Sequence, residues 1–356
     1  MKAATTVAAG TLEYQERPIP TPTAGTALVR VEHVTLCGTD LHIWQGEYLN
    51  PFPIVQGHEV VGRVEQVADS DTSDTSDASG ASIACGDTVV LSPVRSCGAC
   101  YACRVGRPNV CERVSVLGCY EDGALAQYIL APVETLRKVP PGLPSELAPL
   151  GEPASIAMQA VRRSRAHAGE LALVIGCGPI GLISTLYLRE LGVDVVAADT
   201  LPERAETAKE FGAVEAIVVD PAAAFPTGPQ ISALTATDST RPVTVVIEAT
   251  GSPSAFAAAL DVAAPTGRVV AVGISDRDAR LPLRTIPLKE LDILGSRNSL
   301  DLIGDGLRLI ARHQERFARL ITHRFGFHQI ERAFDVMHTQ AEHVRKVLVT
   351  VDGPGR

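Results

Sequence analysis

The sequence has no surplus of positive charge: 32 Lys and Arg stand against 41 Asp and Glu, a formal net charge of −9. A surface that grips nucleic-acid phosphates needs clustered Lys and Arg, so this balance argues against a nucleic-acid partner. No apolar run approaches the roughly 20 residues that cross a bilayer. Residues 1–10 lack the basic start and apolar core of a signal peptide. No membrane partner is expected, and the chain reads as cytoplasmic. A repeat of the solenoid type is missing as well. Tryptophan occurs once, at Trp44.

What is present suits two domains. A chain of 356 residues with 46% hydrophobic residues is long for one domain and apolar enough for two cores. Up to about Leu150 the pattern is β-rich, and 27–34 (ALVRVEHV) and 60–67 (VVGRVEQV) alternate as half-buried strands do. Segment 69–82 (DSDTSDTSDASGAS) is polar, low in complexity and without core-forming residues. It reads as an exposed mobile loop, and no function is assigned to it.

The character changes near Ser155. Apolar runs at 171–175, 193–198, 216–219, 243–247 and 269–272 are separated mostly by helix-like stretches, among them one reaching 191 and one at 202–211. Such alternation predicts a parallel, doubly wound sheet. From about 296 come a helix at 302–313 and a strand-like 344–351 that can return to the first domain's sheet. The expected class is α/β. A β-rich domain takes residues 1–155 and 296–356, and a doubly wound domain takes 156–295.

The motif Gly176-Cys-Gly178-Pro179-Ile180-Gly181 follows an expected strand and opens an expected helix. Gly176 permits the tight turn, Gly178 the approach of a pyrophosphate, and Gly181 close packing of helix on strand. The helix N-terminus offers free N–H groups and a positive dipole end to phosphates. Asp199, at the end of the second apolar run, suits the hydroxyls of an adenine ribose and repels a 2′-phosphate, which favours NAD over NADP. Arg204, five residues on, is placed to touch the adenosine ribose or, as the secondary reading, to rescue NADP binding.

Four of the eight cysteines lie between 97 and 111. Cys97, Cys100, Cys103 and Cys111 have the close spacing of a closed tetrahedral thiolate site suited to zinc. Such a site has no open position, so its role is to order a loop poor in apolar residues. The Cys-Pro ending of the bacterial iron–sulfur run is absent. Elsewhere, Cys37-Gly-Thr39-Asp40-Leu-His42 precedes Gly57-His58-Glu59. Together they form a candidate zinc site with an open position. Singly, Cys37 reads as a small buried hydrophobe and His58 as a core histidine.

CGTDLH, GHE, the four-cysteine loop and GCGPIG stand in the order found in zinc-dependent medium-chain alcohol dehydrogenases, and 118–128 (GCYEDGALAQY) and 151–155 (GEPAS) resemble that family too. The resemblance covers nearly the whole chain. It is closest to the polyol and threonine dehydrogenase branch, because Glu152 stands where other members carry a third-ligand cysteine. It implies a GroES-like catalytic domain with a Rossmann domain, and two zinc ions per subunit, one catalytic and one structural. By position, Cys37 and His58 ligate the catalytic zinc, with Glu59, Glu152 or water completing the shell. Thr39 begins a proton relay that His42 continues through the cofactor ribose, and Asp40 orients the ligand histidine. The implied reaction is hydride transfer from a secondary alcohol (a polyol, sugar alcohol or sugar acid) to NAD. L-Threonine oxidation is the nearest alternative. A zinc- and NAD-binding sensor or scaffold without turnover is the alternative from another class. The implied partners are a small-molecule alcohol and further copies of the chain, as dimer or tetramer.

Overall fold

The computed structural model describes residues 1–47, 52–68, 80, 82–235 and 240–351. Most of the polar segment 69–82 therefore lies outside the described residues. The chain divides into two compact units, one of Met1–Ser155 with Leu300–Arg356 and one of Ile156–Ser299.

The first unit is built around the long strand Thr26–Leu36. Its Val29, Val31, Val34 and Leu36 are fully buried, as expected of β-branched and aliphatic residues on a packed sheet. In the seven-stranded sheet the order is Leu136–Lys138, Thr88–Leu91, Glu59–Val67, Thr26–Leu36, Lys346–Thr350 and Ile321–Gly326, with Tyr128–Pro132 also paired to Thr26–Leu36. The last strand does return to this sheet, antiparallel to Thr26–Leu36 with Val347 opposite Leu36. On the other edge Glu59 lies opposite Thr35. Glu59 and Lys346, 287 residues apart in sequence, thus meet around one strand terminus.

Alternation fails in both places where it was expected, with Ala27, Leu28 and Val29 all buried in the first. Glu59–Val67 is buried throughout its first four residues and alternates only afterwards. The 3₁₀ segment Ser145–Leu150 packs against this strand. A smaller sheet joins Thr11–Glu16, Lys2–Ala8 and Ile54–Val55.

The second unit holds six parallel strands in the order Glu215–Val218, Asp194–Asp199, Leu171–Ile175, Val243–Glu248, Arg268–Ala271 and Asp292–Gly295. Leu171–Ile175 is buried at every residue, which is why it reads as an unbroken apolar run rather than an alternation. Asp292–Gly295 gave no such signal because it is an edge strand with exposed residues. Helices Pro179–Glu190, Pro202–Glu210 and Pro253–Val262 each begin on a proline, which loses nothing at a position whose N–H has no helical acceptor. The strand order reverses on either side of Leu171–Ile175, the usual place for a ligand beyond the carboxyl ends of the strands. Among the described residues, no helix is long and apolar enough to cross a membrane.

Candidate zinc and dinucleotide sites

Cys37 occupies the N-cap of helix Gly38–Trp44, the place where Ser or Asp is usual. The Thr39 N–H donates to Cys37 Sγ at 3.2 Å, and the Cys37 N–H donates to Asp40 Oδ2 at 2.9 Å. The other Asp40 oxygen accepts the Gly57 N–H at 3.3 Å. Asp40 is fully buried, and its main-chain oxygen accepts the Gln56 side-chain amide at 2.7 Å. One carboxylate therefore ties the Cys37 cap to the backbone beside His58.

His58 is also buried, with Nε2 3.1 Å from Cys37 Sγ. Burial opposes a charge on its ring, but the charges of Cys37 and Asp40 outweigh this and hold its pKa well above the ordinary value. Asp40, expected to orient this ring, faces it as an ion-pair partner, with Oδ1 3.7 Å from His58 Nδ1, while both carboxylate oxygens also accept backbone N–H groups. Cys119 faces the same nitrogen, with Sγ at 3.8 Å.

The ligand atoms of Cys37, His58 and Glu59 lie within 4.8 Å of one another. Sulfur, imidazole and carboxylate are a donor set that zinc accepts. Glu59 is not idle, however. It is 1% exposed, and it accepts hydrogen bonds from Thr35 Oγ1 on one oxygen and Lys346 Nζ on the other. Glu152, in the first turn of helix Gly151–Ser164, falls outside the three-residue cluster. Burial, assisted by the charges of Glu59 and Asp40, pushes its carboxyl up to about 7 against the lowering influence of His58 and Lys346. Thr39 is half-buried and His42 exposed. His42 Nδ1 pairs with Glu47 Oε2 at 2.7 Å. The lone tryptophan is a packing residue, stacked on Phe334 with ring centroids 4.8 Å apart.

Cys97, Cys100, Cys103 and Cys111 bring their sulfurs within 4.8 Å of one another, and none is in a disulfide. Backbone N–H groups of Cys97, Cys100 and Arg113 point at these sulfurs at 3.3 Å, as they do around thiolates. The Ala99 N–H, with Arg113 and the Cys100 N–H, pulls Cys97 down to about 5. Desolvation and the neighbouring thiols push Cys103 up to about 11. Four such groups resist ionising together unless a cation sits among them, which is the chemistry of a structural zinc site.

In the second unit a cavity of about 1090 Å³ is lined by Gly176, Gly178, Asp199, Arg204, Phe225 and Thr250, among others. Gly178 is the N-cap of helix Pro179–Glu190, and a Cβ on it would meet nothing within 4 Å. The backbone is thus open to a ligand. Gly181 has the opposite reason to be glycine: a Cβ there would collide with the Gly176 carbonyl oxygen. Pro179 and Ile180 form the first helical turn between them. Asp199 Oδ2 accepts the Cys177 N–H at 2.7 Å and Oδ1 the Leu201 N–H at 2.9 Å. It therefore fixes the glycine turn as well as facing the cavity. Thr35, Gln56, Cys119 and Lys346 escaped sequence reasoning. Lys346 had a signal, a cation at the mouth of an apolar final strand, but nothing local gave its partner.

These features define a zinc-type oxidoreductase that works with a nicotinamide cofactor. Family comparison agrees: residues 23–141 match the alcohol dehydrogenase GroES-like domain and 179–311 the zinc-binding dehydrogenase domain. The chain is 33% identical over 346 residues to the starvation-sensing protein RspB of Escherichia coli K12, covering 95% of this chain and 96% of that one. It is 32% identical over 334 residues to L-galactonate-5-dehydrogenase of the same organism, covering 91% of each. An RspB alcohol dehydrogenase structure from E. coli CFT073, complexed with NADH, superimposes with a TM-score of 0.87 at 32% identity, covering 98% of this chain and 99% of that one. The chain belongs to the zinc-binding medium-chain alcohol dehydrogenase family, with the GroES-like and Rossmann architecture expected of it.

Proposed function

We propose that the protein oxidises a secondary alcohol of a polyol, sugar alcohol or sugar acid, with NAD as hydride acceptor. The observation that carries this reading is the convergence of Cys37, His58 and Glu59 within 4.8 Å, with a second buried acid, Glu152, near enough to feel the charges of His58 and Glu59 and pushed by burial up to about 7. The similarity to a galactonate dehydrogenase supports a hydrophilic substrate. A zinc ion held by Cys37 and His58, with Glu59 or Glu152 as the acidic partner, would supply Lewis-acid polarisation of the alcohol oxygen. The nicotinamide would supply the hydride acceptor. A second zinc on Cys97, Cys100, Cys103 and Cys111 would be structural.

The chain's own residues handle orientation and the proton. Asp40 fastens the Cys37 cap to Gly57 and so fixes the spacing of the two ligands. Thr39 is the residue that receives the substrate hydroxyl proton. His42 passes it on: with Glu47 as acceptor on Nδ1, its Nε2 keeps a lone pair for that proton. Asp199 and the Gly176–Gly181 turn bind the adenosine half of the cofactor, with Arg204 beside the ribose. We further read the enzyme as a cytoplasmic homo-oligomer, dimer or tetramer, which light scattering would measure.

Initial rates over a panel of polyols, sugar acids and L-threonine, each with NAD and NADP, test the reading. NADH formation from a polyol or sugar acid is the expected result. Turnover of threonine alone would replace the substrate class, and cofactor binding with no turnover by the zinc-loaded protein would replace catalysis with a sensor or scaffold role.

A further inference from the structure

Cys97 opens the four-cysteine lobe and Cys111 closes it, 14 residues later. The two ends already meet, because the Cys97 N–H donates to Cys111 Sγ at 3.3 Å. Arg113, just past the last of the four, reaches both. Its backbone N–H donates to Cys111 Sγ at 3.3 Å, and its guanidinium donates to Cys97 Sγ. One residue therefore bridges the first and last sulfurs of the set. The charges of Cys111 and Cys100 act on the same guanidinium.

Four thiolates around one divalent zinc leave two negative charges uncancelled. Backbone N–H groups disperse part of that charge. The Cys100 N–H points at Cys97 Sγ at 3.3 Å, and those of Gly98 and Glu112 serve Cys103 and Cys100. All of these donors are neutral. A hydrogen bond from a charged donor is about twice as strong as one from a neutral donor, and Arg113 supplies such a bond to Cys97. Arg95 and Arg104 of the same stretch are committed elsewhere: Arg95 pairs with Glu121 at 3.1 Å, and Arg104 Nη1 donates to the Ala99 carbonyl oxygen.

We propose that Arg113 is a positioning residue for the structural zinc, its guanidinium supplying the counter-charge to Cys97 and so tying the first thiolate of the lobe to the last. This rests on the reading of the four cysteines as a zinc site. The simpler role is that of a solvating side chain, since Arg113 is exposed.

The zinc-loaded full chain is mixed with excess chromogenic chelator, and zinc loss is followed beside iodoacetamide labelling of each cysteine, read by mass spectrometry. Labelling of Cys37 or of the four lobe cysteines marks which zinc has left. Arg113→Met keeps the side chain's length and removes its charge and donors, whereas Arg113→Lys keeps a charge and a donor. In Arg113→Met, zinc should leave the lobe about tenfold faster than in the parent, with Cys97 labelled first of the four, while Cys37 is labelled at the parent rate. Arg113→Lys should release the lobe zinc within about threefold of the parent rate. Equal release and labelling in the parent and Arg113→Met overturn the proposal and leave a solvating side chain. Release from Arg113→Lys as fast as from Arg113→Met overturns the counter-charge. Arg113→Gln gives the same comparison if the methionine variant does not fold. The parent alone tests the underlying reading: lobe cysteines labelled as fast before chelation as after it would overturn the zinc assignment, and the proposal with it.

Discussion

Lys346 and Glu59 form a buried ion pair across 287 residues of sequence, with the lysine 4% and the glutamate 1% exposed. Thr35 Oγ1 donates to the other carboxylate oxygen. The pair exists because strands Lys346–Thr350 and Glu59–Val67 flank opposite edges of Thr26–Leu36. Burial works against the charge on Lys346, but the charge and hydrogen bond of Glu59, together with Cys37 and Glu152, raise its pKa above the ordinary value.

Lys346→Met should therefore be strongly destabilising. Removing one partner of a buried pair leaves the other charge uncompensated, which costs about 3 to 5 kcal/mol. Urea unfolding of the parent and Lys346→Met measures the loss. Lys346→Met with Glu59→Gln should recover a large part of it, because the second change removes the stranded charge. Strictly additive losses would show that the two side chains do not act as a pair.

Cys103→Ser tests the four-cysteine lobe. Few residues between Cys97 and Cys111 are buried, so the metal rather than a core must hold this segment. The variant should contain one zinc fewer per chain by atomic absorption and should be cleaved by protease within the lobe while the remaining chain stays resistant. Unchanged zinc content would refute a metal role for this cysteine.

The sequence disclosed those features whose signal is local. The GCGPIG turn, the cysteine spacing and the apolar runs of the second unit each depend on residues near one another in the chain. The candidate zinc site was legible only in part. Cys37 and His58 stand in recognisable motifs, yet the Asp40 that braces Cys37 is itself held by Gln56 and Gly57, and the Glu59 beside His58 is held by Lys346 from a strand 287 residues away. Asp40 shows the limit: the resemblance gave it the orienting role beside His58, and only the geometry shows that its oxygens also brace the Cys37 and Gly57 N–H groups. Strand Asp292–Gly295 was missed for a related reason, since an edge strand buries too little to leave an apolar run.

Asp194 should give the protein a measurable acid sensitivity. It pairs with Arg241 at 2.7 Å and with Arg189. Burial alone would push its carboxyl up, but the two arginines outweigh this and hold it below the usual carboxylate range. A depressed folded pKa means stability present above the unfolded value, about 3.9, and lost as pH falls through the folded one. Asp194→Asn should thus be less stable by about 1 kcal/mol near neutrality, given the partly exposed pair. The gap should close as pH drops below about 4. Unfolding free energies of both proteins across this range check the sign, and a gap that stays constant with pH would rule out the linkage.

Asp199 is the residue on which cofactor choice is expected to turn. Its two oxygens accept the Cys177 and Leu201 N–H groups while its side chain lines the cavity with Arg204. Asn in its place removes the charge that repels a 2′-phosphate and loses one backbone acceptor. Asp199→Asn should raise KM for NAD about tenfold, with kcat at saturating NAD nearly unchanged, because it weakens binding of ground and transition states alike. Activity with NADP should rise relative to NAD. Adding Arg204→Ala should reduce that rise, since its guanidinium lines the cavity together with Asp199 and can meet a 2′-phosphate once the carboxylate charge is gone. Initial rates with both cofactors for the three proteins decide it. An unchanged NAD-to-NADP ratio in Asp199→Asn would reduce Asp199 to a brace for the glycine turn.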